Sequence, residues 1–319
     1  MSDSEFTSLS RLAEAINAAT TDMLSREPAE IRAMRTGNIK IGTNGQYFST
    51  WDIANGLLRD LAMSTWYSLL QTFEDQDFTL QQACTLANRF GDSHHSNYLR
   101  YSGFPQLGSF AVALLQHLPR AANRDEAVKA VRAFVGYINR MSAWAFHTFP
   151  WGLGKHLTYQ PSEAPMPVVV DLSRRAKIAS GPKVKLTWQP LNIAVIAILA
   201  VNENPEIVTD FLKVLPFTVI QDHGVVSGEI IFAWAPLVTT AQPRFRERLC
   251  DAPVGRLNFS HVTGQKVIIN YGEVTEDLSL PVLGEILPEY RDQLAEVGRR
   301  VLQSTFETKE DITLTMELV

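Results

Sequence analysis

Apolar residues in the first half of the chain recur every three or four positions, which is the period of helices buried on one face. The pattern covers residues 6–16 and, more densely, residues 50–73. Two capping boxes predict where further helices begin: Thr79 with Gln82, and Asn123 with Glu126. The first half therefore predicts a helical domain.

Two segments interrupt this helical pattern. Asn44 and Gly45 stand between short β-prone runs in residues 38–50, which predicts a small hairpin. Residues 91–105, GDSHHSNYLRYSGFP, follow a capped helix and are polar and loop-like. We expect the second segment to be an interhelical loop.

The second half of the chain changes to the period of strands, after the proline-containing residues 158–167. Two helical intervals, residues 204–215 and 287–304, interrupt a series of β-prone runs. These runs are VVVDL, VKLTW, IAVIAILAV, FTVIQ with EIIFAW, GRLNFS, KVIINYG and ITLTMEL. So few helices do not fit the alternation of a doubly wound sheet. The sequence predicts an α+β protein, with a helical domain at residues 1–165 and a mostly antiparallel β-barrel at residues 166–319.

Composition narrows the class of protein. The 319 residues are 45% hydrophobic and 20% charged, with a net charge of −5 and no run of Lys and Arg. These values are ordinary for a globular protein and disfavour nucleic acid or an anionic membrane as the main partner. Cys84 and Cys250 are far apart in sequence, which indicates neither a disulfide framework nor a thiolate cluster. The start of the chain lacks a signal-like apolar core, so we expect a cytoplasmic protein.

Several common site motifs are missing. No G-x-G-x-x-G opens a helix, and the nearest string, WGLGKH at residues 151–156, lacks the third glycine. The sequence also has no P-loop, H-E-x-x-H, EF-hand loop, C-x-x-C or G-x-S-x-G. Nucleotide, metalloprotease and serine-hydrolase functions are therefore disfavoured, and we expect no cofactor and no metal.

Residues 215–234, LPFTVIQDHGVVSGEIIFAW, and residues 252–286 carry a family resemblance. Their strand and turn pattern resembles the cyclophilin-like barrels, from about residue 183 to the end of the chain. With its helical half, the whole chain resembles the cucumopine/mikimopine synthases, the opine-forming enzymes of hairy-root plasmids. The resemblance implies condensation of L-histidine with 2-oxoglutarate with loss of one water. Such a ring closure of the Pictet–Spengler type consumes no hydride.

This chemistry needs groups that move protons, and four residues of the β half are candidates: His223, Glu229, Tyr271 and Glu273. His223 and Glu229 lie in the polar insert between two apolar runs, where they are equally typical of an exposed turn. Tyr271 is as readily a core aromatic whose hydroxyl reaches the barrel mouth. Glu273, just past its strand, is typical of a solvated carboxylate. The insert itself predicts a hairpin turn that doubles as a pocket wall.

The three carboxylates of the two substrates need cationic or hydrogen-bonding partners. Our candidates are His94, His95, Arg100, Lys155, Arg244, Arg256 and His261. Most of them are equally typical of solvated surface, loop or linker positions. Arg256 differs because it lies among apolar neighbours, where an arginine usually has an anionic partner. The His94-His95 pair has no third ligand at a suitable spacing, so it does not predict a metal site.

Two rival functions stay open from the sequence. A cyclophilin-like binding module or prolyl isomerase fits the barrel, although no counterpart of the isomerase Arg/Gln/Phe set is evident. A reductive opine dehydrogenase would require NAD(P)H to bind without the usual fingerprint. Product stereochemistry and the formation of a homo-oligomer are not determined by the sequence.

Overall fold

The computed structural model describes residues 6–37, 51–91, 94–101, 103–151, 171–261 and 263–319, without the side chains of residues 51–54, 94, 95 and 97. The chain divides into two compact units: Met1–Phe149 with Val262–Gly264, and Pro150–His261 with Gln265–Val319. The hairpin predicted over residues 38–50 lies outside the described residues. So does the domain boundary expected near residues 162–170, which therefore stays a prediction.

The described part of the first unit is helical, as predicted. Its helices are α1 (Leu9–Asp22), α2 (Ala29–Arg35), α3 (Trp51–Asp60), α4 (Tyr67–Glu74), α5 (Leu80–Gly91), α6 (His94–Tyr101), α7 (Pro105–His117) and α8 (Arg124–Thr148). A π-helical segment, Leu61–Trp66, joins α3 to α4. The capping box of α5 is formed as expected: the Gln82 N–H donates to Thr79 Oγ1 at 3.2 Å and the Thr79 N–H to Gln82 Oε1 at 2.8 Å.

The loop predicted over residues 91–105 was wrong, because α6 occupies most of it. Most residues of α6 are polar and have only moderate helix propensity, so the sequence pattern alone does not favour a helix there. Buried Leu99 and Ser96 attach this short helix to the core of its unit. Gly103, with φ of 113°, and Pro105 at the first turn of α7 then separate the two helices.

The second unit is a nearly closed antiparallel barrel, which confirms the α+β prediction. Its strands are β1 (Lys183–Gln189), β2 (Ile193–Leu199), β3 (Phe217–Ile220), β4 (Asp222–His223), β5 (Gly228–Trp234), β6 (Arg246–Arg248), β7 (Arg256–Ser260), β8 (Lys266–Val274), β9 (Ser279–Ile286) and β10 (Thr313–Leu318). Their order is β3-β10-β1-β2-β9-β7-β8-β5-β4, with β6 on β9. The two end strands, β3 and β4, are separated in the chain by Gln221 alone, so the sheet must curl until its ends meet.

Helices α9 (Pro205–Lys213) and α10 (Leu294–Gln303) fill the predicted helical intervals of the second unit. Two strand predictions need correction. The FTVI run does not pair with EIIFAW: β3 pairs with β10, and β5 pairs with the short strand β4. The strand predicted over residues 168–172 is not present at Leu172, where a 3-10 turn, Leu172–Arg174, stands instead. Among the described residues, no helix is long and apolar enough to cross a membrane.

The register of the sheet identifies the inner face of the barrel. Leu257, Ile269 and Ile231 pair in one row across β7, β8 and β5, and all three are fully buried. His223 on β4 pairs with Ile231, so it lies on the same inner face. Alternation along β8 places Tyr271 on that face as well. Two of the four predicted catalytic residues, His223 and Tyr271, therefore lie on the inner face of the barrel.

Candidate active site

His223 and Tyr271 form a hydrogen-bonded pair at the end of β4. The imidazole Nε2 lies 2.8 Å from the Tyr271 hydroxyl, and Nδ1 lies 2.7 Å from the carbonyl oxygen of Gly224. A carbonyl oxygen only accepts, so Nδ1 carries the proton of the neutral ring. Nε2 then accepts the hydrogen bond from Tyr271. The pair is set to move a proton from the phenol oxygen to the imidazole.

The protonation states of this pair follow from burial and one nearby charge. Burial lowers the pKa of His223, while its hydrogen bond to Gly224 and the charge of Glu229 act in the opposite direction. Burial, with Glu229 second, raises the pKa of Tyr271 to about 12. At neutral pH the pair therefore consists of a neutral imidazole and a protonated phenol.

Glu229 is seated at the barrel rim by backbone geometry. It follows Gly228, whose φ is 85°, and a register shift interrupts β5 between Gly228 and Ile230. The Glu229 Oε2 atom accepts a hydrogen bond of 2.6 Å from the N–H of Glu273. A Cβ on Gly272 would lie only 2.0 Å from that oxygen, so a larger residue there would force the carboxylate to move. Glu273 contributes its backbone N–H to this arrangement, and its side chain is exposed.

Helix α10 and the turn after it complete the site with residues that the sequence did not indicate. The His223 N–H donates to Thr305 Oγ1 at 3.0 Å, and the Phe306 ring meets the imidazole edge-on at 6.0 Å between centroids. A Cβ on Gly298 would lie 2.5 Å from the Tyr271 ring, so α10 packs closely on that tyrosine. The two contacts with His223 join positions about 80 residues apart, and no local pattern signals them.

Arg256 has protein carboxylates as its partners. Its guanidinium lies 3.0 Å from Glu247 and 3.1 Å from Glu285, and it donates to the carbonyl of Ala176 at 3.0 Å. Arg256 is the neighbour of inward-facing Leu257, so it lies on the outer face of the sheet, opposite to His223. The anionic partners expected for Arg256 are thus two carboxylates of the protein itself, Glu247 and Glu285. A role for Arg256 in substrate binding stays a prediction.

The other predicted binding residues do not gather around His223 within the described residues. Arg244 forms an exposed ion pair with Glu206. His261 is buried, 3.5 Å from Arg246, and burial with the Arg246 charge lowers its pKa to about 4. His261 comes directly after β7. The last residue of that strand pairs with Lys266, which lies five positions before Tyr271 on β8.

The remaining candidates belong to the first unit or lie outside the described residues. His94 and His95 begin α6 and Arg100 lies near its end, half-buried, while the two histidine side chains and all of Lys155 are not described. No group of three or more His, Cys, Asp or Glu side chains in the described ranges could hold a metal ion.

Comparison with known proteins identifies the helical half. The family model described as the cucumopine synthase C-terminal helical bundle domain matches residues 9–148, which in this chain precede the barrel. A solved structure titled "Structure of McbB in complex with tryptophan" is 28% identical over 42% of this chain and 44% of that chain, with a TM-score of 0.39. That TM-score is too low to support an inference. No curated protein gave a significant match. Residues 9–148 thus match the helical bundle domain of the cucumopine synthases, which agrees with the resemblance drawn from the sequence.

Proposed function

We propose that this protein is an opine synthase that joins L-histidine to 2-oxoglutarate by a redox-neutral cyclisation. The family of the helical half supports this proposal. The observation that carries it is the 2.8 Å hydrogen bond between His223 Nε2 and Tyr271 on the inner face of the barrel. A neutral imidazole joined to a protonated phenol is suited to the proton transfers that the reaction needs.

The reaction balances without an external reductant. The neutral α-amine of histidine attacks the keto carbon, and the resulting carbinolamine loses one water to give an iminium ion. A carbon of the substrate imidazole then attacks the iminium carbon and closes the ring. A base removes the proton from that imidazole carbon and restores aromaticity. The product contains both substrates minus one water.

The His223–Tyr271 pair is assigned the last proton transfer. The ring proton passes to the Tyr271 oxygen while the phenolic proton passes to His223 Nε2. The imidazolium that forms keeps its Nδ1–H donated to Gly224, and the charge of Glu229 stabilises it. In the earlier dehydration step, the proton for the leaving water comes from solvent, so Tyr271 keeps its phenolic proton for the last transfer. Tyr271 is still protonated at that stage because its pKa is raised to about 12.

The direct test is to incubate the purified protein with L-histidine and 2-oxoglutarate, without nicotinamide or added metal. We expect a product whose mass is the sum of the substrates minus water. Tyr271→Phe should lower kcat at least tenfold, since general acid–base catalysis contributes roughly 10²–10⁴-fold. Tyr290→Phe is the matched control, because this tyrosine lies in the 3-10 turn Pro288–Gln293.

Three outcomes would contradict the proposal. A product that forms only with NADH would indicate a reductive dehydrogenase. Equal turnover of amino acids without an imidazole would exclude the cyclisation. Sustained exchange of proline isomers in a short peptide, with no opine formed, would indicate a prolyl isomerase.

A further inference from the structure

The turn that follows α10 has an unusual backbone and lies directly on the catalytic pair. Ser304–Thr308 is a π-helical turn, a rare conformation that is concentrated at functional sites. It ends at Lys309, which takes the left-handed conformation with φ of 56° and donates its N–H to Ser304 O at 2.9 Å. Such a backbone is sparsely populated by residues other than glycine. It places Thr305 and Phe306 side by side against His223.

Phe306 contacts both a ring of the catalytic pair and a second aromatic ring. Its centroid is 6.0 Å from that of His223 and 6.1 Å from that of Trp151. Phe306 and Trp151 are both partly exposed, whereas barrel aromatics such as Trp188 and Phe259 are fully buried. The two partly exposed rings therefore offer apolar surface beside the groups that transfer protons.

We propose that Phe306, supported by Trp151, binds the planar ring of the amine substrate and makes the site selective for ring-bearing amino acids. This inference rests on the opine synthase function proposed above and names the subsite for one of its two substrates. The cyclisation requires the substrate ring to lie within reach of the base, and ring-to-ring packing beside His223 provides that placement. The keto acid has no ring, so its binding should not depend on Phe306.

Binding in the absence of turnover separates this role from simple packing of His223. We would measure the Kd of L-histidine, L-phenylalanine, L-alanine and 2-oxoglutarate by calorimetry, with one ligand at a time so that no reaction occurs. Phe306→Leu keeps an apolar side chain but removes the ring. We expect it to weaken L-histidine and L-phenylalanine roughly three- to tenfold, which is the size of one aromatic pair, and to leave L-alanine and 2-oxoglutarate unchanged. Phe306→Tyr should restore binding of both ring-bearing amino acids.

Phe245→Leu is the matched control, because Phe245 is another partly buried phenylalanine of the second unit, packed on Ala176, Ala200 and Val282. It should leave all the affinities unchanged. The proposal is overturned if Phe306→Leu binds L-histidine as the wild type does, or if it weakens L-alanine and L-histidine equally. It is also overturned if only kcat falls, since that would assign Phe306 to positioning His223. A wild type that binds L-histidine through Phe306 but forms no product supports the subsite and refutes the synthase.

Discussion

Replacing Arg256 with Met tests whether this arginine stabilises the barrel or binds a substrate carboxylate. Methionine fills similar volume without the charge. Arg256 Nε lies 3.0 Å from Glu247 Oε1, and the two side chains are 1% and 0% exposed. The variant would leave Glu247 buried without its ion-pair partner, while Glu285 keeps its second partner, Arg291.

Removing one partner of a buried ion pair costs about 3–5 kcal/mol, because the other charge stays desolvated. The cost should depend on pH. Burial already raises the pKa of Glu247, and the charge of Arg256 opposes that rise. In Arg256→Met the folded-state pKa rises further above the unfolded value. The folded state then binds the proton more tightly, so stability is kept at low pH and lost as pH rises through the folded pKa. The loss should be smaller at pH 5 than at pH 8.

Urea unfolding of the variant at pH 5 and pH 8 measures this loss, and Arg244→Met serves as its control. Arg244 pairs with Glu206 on the surface, with 63% of its side chain exposed, and exposed pairs contribute about 0–1 kcal/mol. If Arg256→Met loses less than about 1 kcal/mol at pH 8 while the KM for 2-oxoglutarate rises tenfold, Arg256 is a substrate-binding residue and the structural reasoning is wrong.

Three further predictions follow from buried polar and glycine positions. Asn204→Leu should lower the thermal unfolding midpoint by several degrees, because the Asn204 carboxamide makes four hydrogen bonds of 2.8–3.1 Å. Asn258→Leu should leave the midpoint unchanged, because the buried Asn258 carboxamide has no hydrogen-bond partner among the described residues. A larger loss at Asn258 would contradict this. Gly272→Ala should displace the Glu229 carboxylate and reduce opine formation, and a crystal structure with Glu229 unmoved would refute it. In an NMR titration the His223 ring should show a pKa below the ordinary 6.5, and a value at or above 6.5 would overturn the assigned burial effect.

The helical half could be predicted from the sequence because its signals are local. Thr79 with Gln82 form their capping hydrogen bonds within three residues, and the side chain of Asn123 likewise accepts from the N–H of Glu126 at 3.0 Å. Helix α6 was missed because its eight residues carry no strong helical pattern, and packing of Leu99 decides their conformation. Local patterns therefore predicted elements with their own start signals and failed where tertiary contacts decide.

Strand pairing in the barrel depends on contacts that the sequence does not order. The apolar run FTVIQ and the polar insert that holds His223 read as a strand and the turn of a hairpin, yet β3 and β4 lie at opposite ends of the sheet order. Gln221, fully buried, separates β3 from β4 and donates its N–H to Ile312 O at 2.8 Å. Closure of the barrel requires this change of partner, and neither local propensity nor turn chemistry encodes it.

The candidate site shows the same division between local and long-range information. His223, Glu229 and Tyr271 could be nominated because each is a polar side chain at the end of an apolar strand. Thr305 and Phe306 could not, because their contact with His223 spans 82 residues and depends on how the turn after α10 folds. The residues that we propose to transfer protons could thus be predicted from the sequence pattern, and the residues that contact His223 from the turn after α10 could not.

Glu229 links two strands of the barrel and also acts electrostatically on the proposed catalytic pair. Its Oε2 accepts the Glu273 N–H, and the missing Cβ of Gly272 makes room for it, so it connects β5 to β8. The same placement brings its charge close enough to oppose the loss of a proton from His223 and Tyr271. Burial alone would hold His223 neutral and make it a poor proton acceptor. The carboxylate offsets part of that burial effect, so the geometry that links β5 to β8 also raises the basicity of the His223 imidazole.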